Sequence, residues 1–197
     1  RGLARTAVIR LCLPAPQLLP PLVDWPDDLR QAIKGQSYML HGGHEFDGRP
    51  ISPLDEAELK KTASEIRGQG VQAVALSDVF SPVDASFEER AAAILKAELP
   101  GLSITLSHEI GRVGLLEREN AAALNACLSI TAGETIAGIQ QRLQDMGLEA
   151  PVFWTQNDGT LMASEFAAKY PVLTLASGPT NSMRGAAFLS RIKDGVV

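Results

Sequence analysis

The sequence predicts an α/β fold, and three observations carry that prediction. Short runs of branched apolar residues alternate along the chain with longer stretches whose apolar positions recur at helical spacing. Glycine and proline signals separate most of these segments. One region, Val71 to Leu106, reads as a complete βαβ unit: an apolar strand, an amphipathic helix, a Pro100-Gly101 stop and a second apolar strand. Two strands joined by a helix of that length pair in parallel through a right-handed crossover.

Taken in order, Ala4 to Leu13 is a strand that ends at a proline-rich loop, and Pro26 to Ile33 is a short helix. Tyr38 to Phe46 is extended, and Asp47-Gly48-Arg49-Pro50 turns the chain. A helix then starts at Ser52, with Pro53 in its first turn and Asp55 at capping-box spacing. Its apolar face includes Leu59, Ala63 and Ile66, and Gly68 and Gly70 stop it. Within the βαβ unit, Val71 to Leu76 is the first strand. Ser86 and Glu89 form a capping-box pair opening a helix with Phe87, Ala91, Ile94 and Leu95 on one face, and Leu102 to Leu106 is the second strand. Two helices follow, Leu115 to Leu128 and one capped by Thr131 and Glu134 that ends at Gly147. The remainder predicts a strand at Val152 to Thr155, a turn at Asn157-Asp158-Gly159 and a short helix at Ser164 to Lys169. A strand at Val172 to Ala176 and a last helix from about Pro179 to Ile192 complete the chain.

Composition narrows the function. With 197 residues, 45% of them hydrophobic, the chain can build one good core or two small ones. Eighteen basic against 23 acidic residues give a net charge of -5 with no basic cluster, which argues against nucleic acid as a partner. Prolines and Arg10 break the most apolar region, Thr6 to Val23, so no stretch is expected to span a membrane or to act as a signal peptide. Two cysteines are too few for a disulfide framework and fit a reduced, cytoplasmic setting. The chain begins at Arg1 rather than Met and ends as a strand would begin, so both ends read as cut.

Standard catalytic signatures are mostly absent: there is no phosphate-binding P-loop, CxxC, HExxH or GxSxG. Gly68-Gln69-Gly70-Val71-Gln72-Ala73 matches the loose dinucleotide fingerprint, but it follows a helix and opens a strand, the reverse of what that motif needs. His41 and His44, with Glu45 and Asp47 nearby, lack a third convergent ligand and read as a glycine-kinked segment, so no metal site is expected. Cys12 and Cys127 lie on apolar faces and read as packed thiols.

Position says more than motif. If the strands run parallel, Ser77, Asp78, His108 and Glu109 fall at their carboxyl ends, where open α/β sheets bind ligands. Gln156, Asn157 and Asp158 follow one later strand, and Ser177 and Gly178 follow another. From Ser177 to Gly185 a strand leads through glycine into a helix with proline in its first turn. Free backbone N–H groups there suit an anion, with hydroxyls from Thr180 or Ser182 beside them.

These segments resemble a known family. Pro171-Val172-Leu173-Thr174-Leu175-Ala176-Ser177-Gly178-Pro179 is similar to the strand and SGP segment of the hydantoinase/5-oxoprolinase A-type subunits. Gln156 to Met162 resembles their QSNGGLM loop, with Asp158 in place of a glycine. Glu117 to Asn120 with Ala123 to Ala126 resembles their ERTSTAVLNAY helix. Pro53-Leu54-Asp55 and Gly70 to Ala75 match the same helix-then-strand register, so the resemblance covers the chain from about Pro50 onward.

The resemblance implies part of an actin-like (ASKHA, ribonuclease H-like) ATPase architecture with βαβ units. Residues 1–124 would be the latter part of the N-terminal domain, and 125–197 the first part of the central domain. It implies ATP-dependent opening of a hydantoin or 5-oxoproline ring through a phosphorylated amide. The alternatives are a subunit of a ketone carboxylase and a noncatalytic subunit-interaction module. ATP and Mg2+ would serve the parent enzyme, but the family's two D-x-G-G-T phosphate loops are missing here, so tight nucleotide binding and activity are not expected of this piece alone. Asn157 and Asp158 would be the catalytic pair that orients substrate or water; Ser177, Gly178, Thr180, Asn181 and Gly185 would line the cofactor's anion site. The Asp158 charge beside a proposed anion site departs from the family pattern. The implied partners are a small cyclic amide, a B-type subunit and further copies of the chain.

Overall fold

The computed structural model describes residues 2–191, in two compact units divided between Thr131 and Ala132. The first is built on a four-stranded sheet of β1 (Thr6–Leu13), β2 (Ser37–His41), β3 (Ala73–Asp78) and β4 (Ser103–Leu106), ordered β2-β1-β3-β4. Every pairing is parallel. The expected βαβ unit is present: β3 and β4 are joined by α3 (Ser86–Glu98).

Period-two alternation in the strands sorts side chains into two cores. Ala7, Ile9, Leu11, Val74 and Leu76 pack with Leu59, Ala63 and Ile66 of α2 (Glu56–Gly68) and with Ala91, Ile94 and Leu95 of α3. Val8, Ala73 and Ala75 pack on the other side with Trp25, with Ile33 of α1 (Asp27–Ile33), and with Ala122, Ala123, Ala126 and Cys127 of α4 (Leu115–Asp145). Both faces of the sheet are covered, which is why β1 and β3 read as near-continuous apolar runs.

Helix starts differ from expectation for a local reason in each case. Asp55, not Ser52, caps α2: its carboxylate accepts the N–H groups of Ala57 at 3.0 Å and Glu58 at 2.9 Å, and Pro53 lies outside the helix. Ser86 opens α3 as its first residue instead of capping it, and Asp84 accepts the Ser86 N–H at 2.8 Å. The two helices expected over Leu115 to Gly147 are one helix of 31 residues. Thr131 does not cap; its hydroxyl donates to the Gly2 carbonyl, and no proline interrupts the run. By length and composition alone α4 could cross a membrane, contrary to expectation. Arg118, Glu119, Ala122, Ala123, Ala126 and Cys127 in its first half are buried within the first unit, so that half of α4 packs as a core helix.

The second unit pairs β5 (Phe153–Thr155) with β6 (Leu161–Ala163) as an antiparallel hairpin, followed by α5 (Ser164–Lys169) and α6 (Ser177–Ser190). Its core is small: Ile136, Met162 and Ala167, with Trp154, Ala168 and Leu173 packed against them. The strand expected at Val172 to Ala176 is a 3-10 turn over Pro171–Thr174 instead. Pro171 opens it, the Thr174 hydroxyl donates to the Pro171 carbonyl at 2.8 Å, and among the described residues no strand pairs with this segment. The last helix starts at Ser177, two residues before the expected Pro179, and its expected end at Ile192 lies outside the described residues.

Candidate active site

The carboxyl ends of β1, β3 and β4 converge on a buried polar network. Arg10, fully buried on β1, meets the Glu119 carboxylate through Nε at 2.7 Å and Nη2 at 2.6 Å, a two-pronged ion pair. The Ser77 hydroxyl donates to the same carboxylate at 2.8 Å. Asp78, the last residue of β3, accepts the His44 backbone N–H at 2.8 Å and lies 2.7 Å from His44 Nδ1. The glycines before His44 make that approach possible. Gly43 adopts φ +90°, and a Cβ there would sit 2.5 Å from the Leu11 carbonyl oxygen. Burial pushes the Asp78 carboxyl up, against the hydrogen bonds from His44.

Glu88, on the inner face of α3, lies at the centre of the network. Its carboxylate accepts the Ser107 hydroxyl at 2.5 Å, the Asp78 N–H at 3.0 Å and the His108 N–H at 3.2 Å, and it lies 2.6 Å from His108 Nδ1. Burial alone would raise the Glu88 carboxyl; donors from His108, Ser107 and Ser81 outweigh it and hold the group below its ordinary range. The same contact raises His108 above the usual imidazole value, assisted by the charges of Glu109 and Glu89. Arg118 closes the floor: its Nε donates to the Ser107 hydroxyl at 2.9 Å, and its other nitrogens cap carbonyls of Asp78, Val79 and Arg112. Burial lowers its guanidinium from the ordinary arginine value. Ser81 and His108 of this network also line a cleft of about 640 Å³, with Val83, Glu109, Gly111 and Arg112 among its other walls.

The pH dependence of this pair follows from the signs. A raised His108 contributes stability fully below its ordinary value of 6.5 and loses it as pH climbs through the folded-state value. A lowered Glu88 contributes above its ordinary 4.5 and loses it as pH falls through its own folded-state value. Urea midpoints of the protein and its His108→Gln variant should therefore differ most between these limits and converge as pH rises through the raised His108 value. A gap that is constant with pH would mean that the pair carries no linkage.

Of the strand-end residues, Ser77, Asp78 and His108 join this network, and Glu109 lines the cleft. His41 and His44 do not converge. His41 is half exposed and pairs with Glu58 at 3.1 Å, while His44 is buried on Asp78. No cluster of three metal-ligating side chains occurs among the described residues. Cys12 and Cys127 are buried free thiols, each pushed up to about 11 by burial.

The second unit holds the other predicted residues. Asn157 and Asp158 are exposed in the turn between β5 and β6, and Ser177, Gly178, Thr180, Asn181 and Gly185 lie on α6. Turn and helix meet: the Thr180 hydroxyl donates to the Asn157 carbonyl at 2.7 Å, and Arg184 donates to the Gly159 carbonyl. The Asp158 carboxylate folds back on the Thr160 N–H at 2.8 Å and hydroxyl at 2.7 Å, which lowers it below the ordinary aspartate value. Ser177 is half-buried, while Gly178, Asn181 and Gly185 are exposed. Thr180 and Asp158 are thus both engaged in the hydrogen bonds of this turn.

Glu88 and Arg118, which hold the cleft together, went unread in the sequence. The usable signal is a charge inside an apolar stripe: Glu88 shares its helix face with Ala91, Ala92 and Leu95, and Arg118 shares its own with Ala122.

The family model for the hydantoinase/oxoprolinase N-terminal region matches residues 4–99, and the hydantoinase/oxoprolinase model matches 118–196. The caprolactamase subunit alpha of Pseudomonas jessenii is 32% identical over 158 residues, 80% of this chain. The chain spans only 22% of that relative's length. Among solved structures, the ATP-dependent caprolactamase of Pseudomonas jessenii superposes with a TM-score of 0.77 at 24% identity, covering 95% of this chain and 29% of that one. A nucleotide-free acetone carboxylase superposes with a TM-score of 0.75 at 15% identity over the same shares, so the α/β fold expected from the sequence is the fold of these enzymes.

Proposed function

Because this chain belongs to the hydantoinase/oxoprolinase family, we propose that it forms part of an ATP-dependent enzyme that opens cyclic amide rings. The observation that carries this reading is its 32% identity to a caprolactamase subunit, since caprolactam is itself a cyclic amide. Amide resonance resists water, and transfer of a phosphoryl group to the amide oxygen supplies the leaving group that ring opening needs. ATP with Mg2+ would provide that group in the complete protein.

On this reading the turn at Asn157 and Asp158 would orient substrate or water, and α6, which carries Ser177, Gly178, Thr180, Asn181 and Gly185, would offer the N–H groups of its first turn to an anion. Residues 1–124 would close the N-terminal domain and 125–197 would open the central one. A B-type subunit and further copies of the chain complete a cytoplasmic assembly; the alpha-subunit designation of the relative supports a partner.

The test is ADP release by the full-length protein with its B-type partner, offered caprolactam, 5-oxoproline, hydantoin, or a simple ketone with bicarbonate. Stimulation by a cyclic amide is the expected result; stimulation by the ketone alone would move the assignment to the carboxylases. In the same assay, Asn157→Ala and Ser177→Ala should each lower kcat by at least about tenfold. Normal turnover in both would remove these residues from the site.

A further inference from the structure

We propose that the cleft at the carboxyl end of the parallel sheet is a ligand site in which His108, held by Glu88, passes a proton to the ligand. This rests on the reading above, because the ligand class is a cyclic amide whose ring nitrogen must gain a proton as it leaves.

Three observations support it. The first is location: the cleft lies where β3 and β4 end, the side on which open α/β sheets take ligands. The second is orientation. Glu88 Oε2 lies 2.6 Å from His108 Nδ1 and 3.2 Å from its backbone N, so one buried carboxylate fixes both the ring and its backbone. Ser107 and the Asp78 N–H fix the carboxylate in turn. This is the arrangement that leaves Nε2 as the working nitrogen of a histidine acid–base pair. The third is access: the His108 side chain keeps 19% of its surface open and lines the cleft, while the Glu88 side chain is fully buried.

Groups facing His108 are Glu88 and Glu89 from α3, Glu109 beside it, and Arg112 and Arg118 from the segment that closes the cleft. The carboxylates favour the imidazolium, the form that can donate. In the step itself, water adds its oxygen to the activated carbonyl carbon and the carbon–nitrogen bond breaks. The electron pair stays on nitrogen, which takes the Nε2 proton, and the carbonyl carbon is left as an acyl phosphate that a second water cleaves to carboxylate and inorganic phosphate. The proton shed by the attacking water restores the imidazolium. His108 is then a catalytic residue and Glu88 a positioning residue.

Two measurements on the full-length protein with its partner test this. In amide-stimulated ADP release, His108→Gln should lower kcat about a hundredfold or more with a small change in KM. Glu88→Gln should move the alkaline limb of the kcat profile to lower pH, an effect that loss of packing alone would not produce. Separately, modification of His108 by diethyl pyrocarbonate, mapped by peptide mass, should follow a titration that shifts to lower pH in Glu88→Gln, and caprolactam or 5-oxoproline should slow it. If no cyclic amide stimulates the wild type, the ring-opening reading fails, and so does this chemistry; a Glu88-dependent His108 titration would then survive as structure only. If the wild type turns over but His108→Gln keeps normal kcat, or neither amide protects His108, the proposal alone is overturned.

Discussion

Glu119→Ala should cost about 3–5 kcal/mol, the price of leaving a buried charge without its partner. Arg10 is fully buried in the central strand, and two of its nitrogens end on Glu119. Without that carboxylate, the guanidinium keeps its bond to the Leu19 carbonyl, and the Ser77 hydroxyl loses its better acceptor. A domain of ordinary stability has roughly 5–15 kcal/mol in total, so the variant should sit near its unfolding threshold. The pair itself is a different matter. Replacing both members at once, Arg10→Met with Glu119→Leu, removes the desolvation cost together with the attraction and should be near neutral or stabilising. Urea unfolding of Arg10→Met, Glu119→Leu and the double variant gives the coupling directly. A single-variant loss below about 1 kcal/mol would mean that water reaches the site and the charge is not buried as described.

That pair also shows where sequence reading stopped. The strands were legible because both sheet faces are covered, which leaves Val74, Leu76, Ile9 and Leu11 in apolar runs that nothing else explains. The helix over Ser164 to Lys169 and the parallel βαβ unit were legible for similar local reasons. Val172 to Ala176 failed because branched residues make a strand only beside another strand, and here a proline and a threonine hydroxyl closed a turn first. Thr131 and Glu134 looked like a cap because their spacing is right, but the Thr131 hydroxyl had another acceptor in Gly2, far away in sequence.

The candidate site divides in the same way. Strand ends placed Ser77, Asp78 and His108 at one edge, since parallel topology alone decides that. What it could not supply were partners: Glu88 reaches His108 from the preceding helix and Arg118 reaches Asp78 from the following one. Such pairings depend on packing distances, not on local pattern. The charged position within an apolar helix stripe is the trace that they leave.

Gly35→Ala should be the most damaging glycine substitution in the first unit, at about 3 kcal/mol or more. Gly35 follows Lys34, the left-handed end of α1, and leads directly into β2. A Cβ on it would fall 1.3 Å from the Thr6 carbonyl oxygen and 2.3 Å from the carbonyl carbon. No rotamer relieves that contact, because both sides are backbone. The chain must move, and the nearest interaction to give way is the Val8 N–H bond to the Gln36 carbonyl at 3.0 Å, at the start of the β1–β2 pairing. Among the described residues β2 is the edge strand, so no further strand pairs with it on its far side. The displacement would travel along β2 to Gly43 and His44, and so to the Asp78 contact in the buried network. Gly68→Ala is the matched control. It lies at the end of α2 with nothing within 4 Å of its new methyl group, and should change stability by less than about 1 kcal/mol. Thermal or urea unfolding of the two variants should separate them clearly. Equal stability would mean that β2 can retreat from β1 at little cost, and that the position of His44 is set by Asp78 rather than by the sheet.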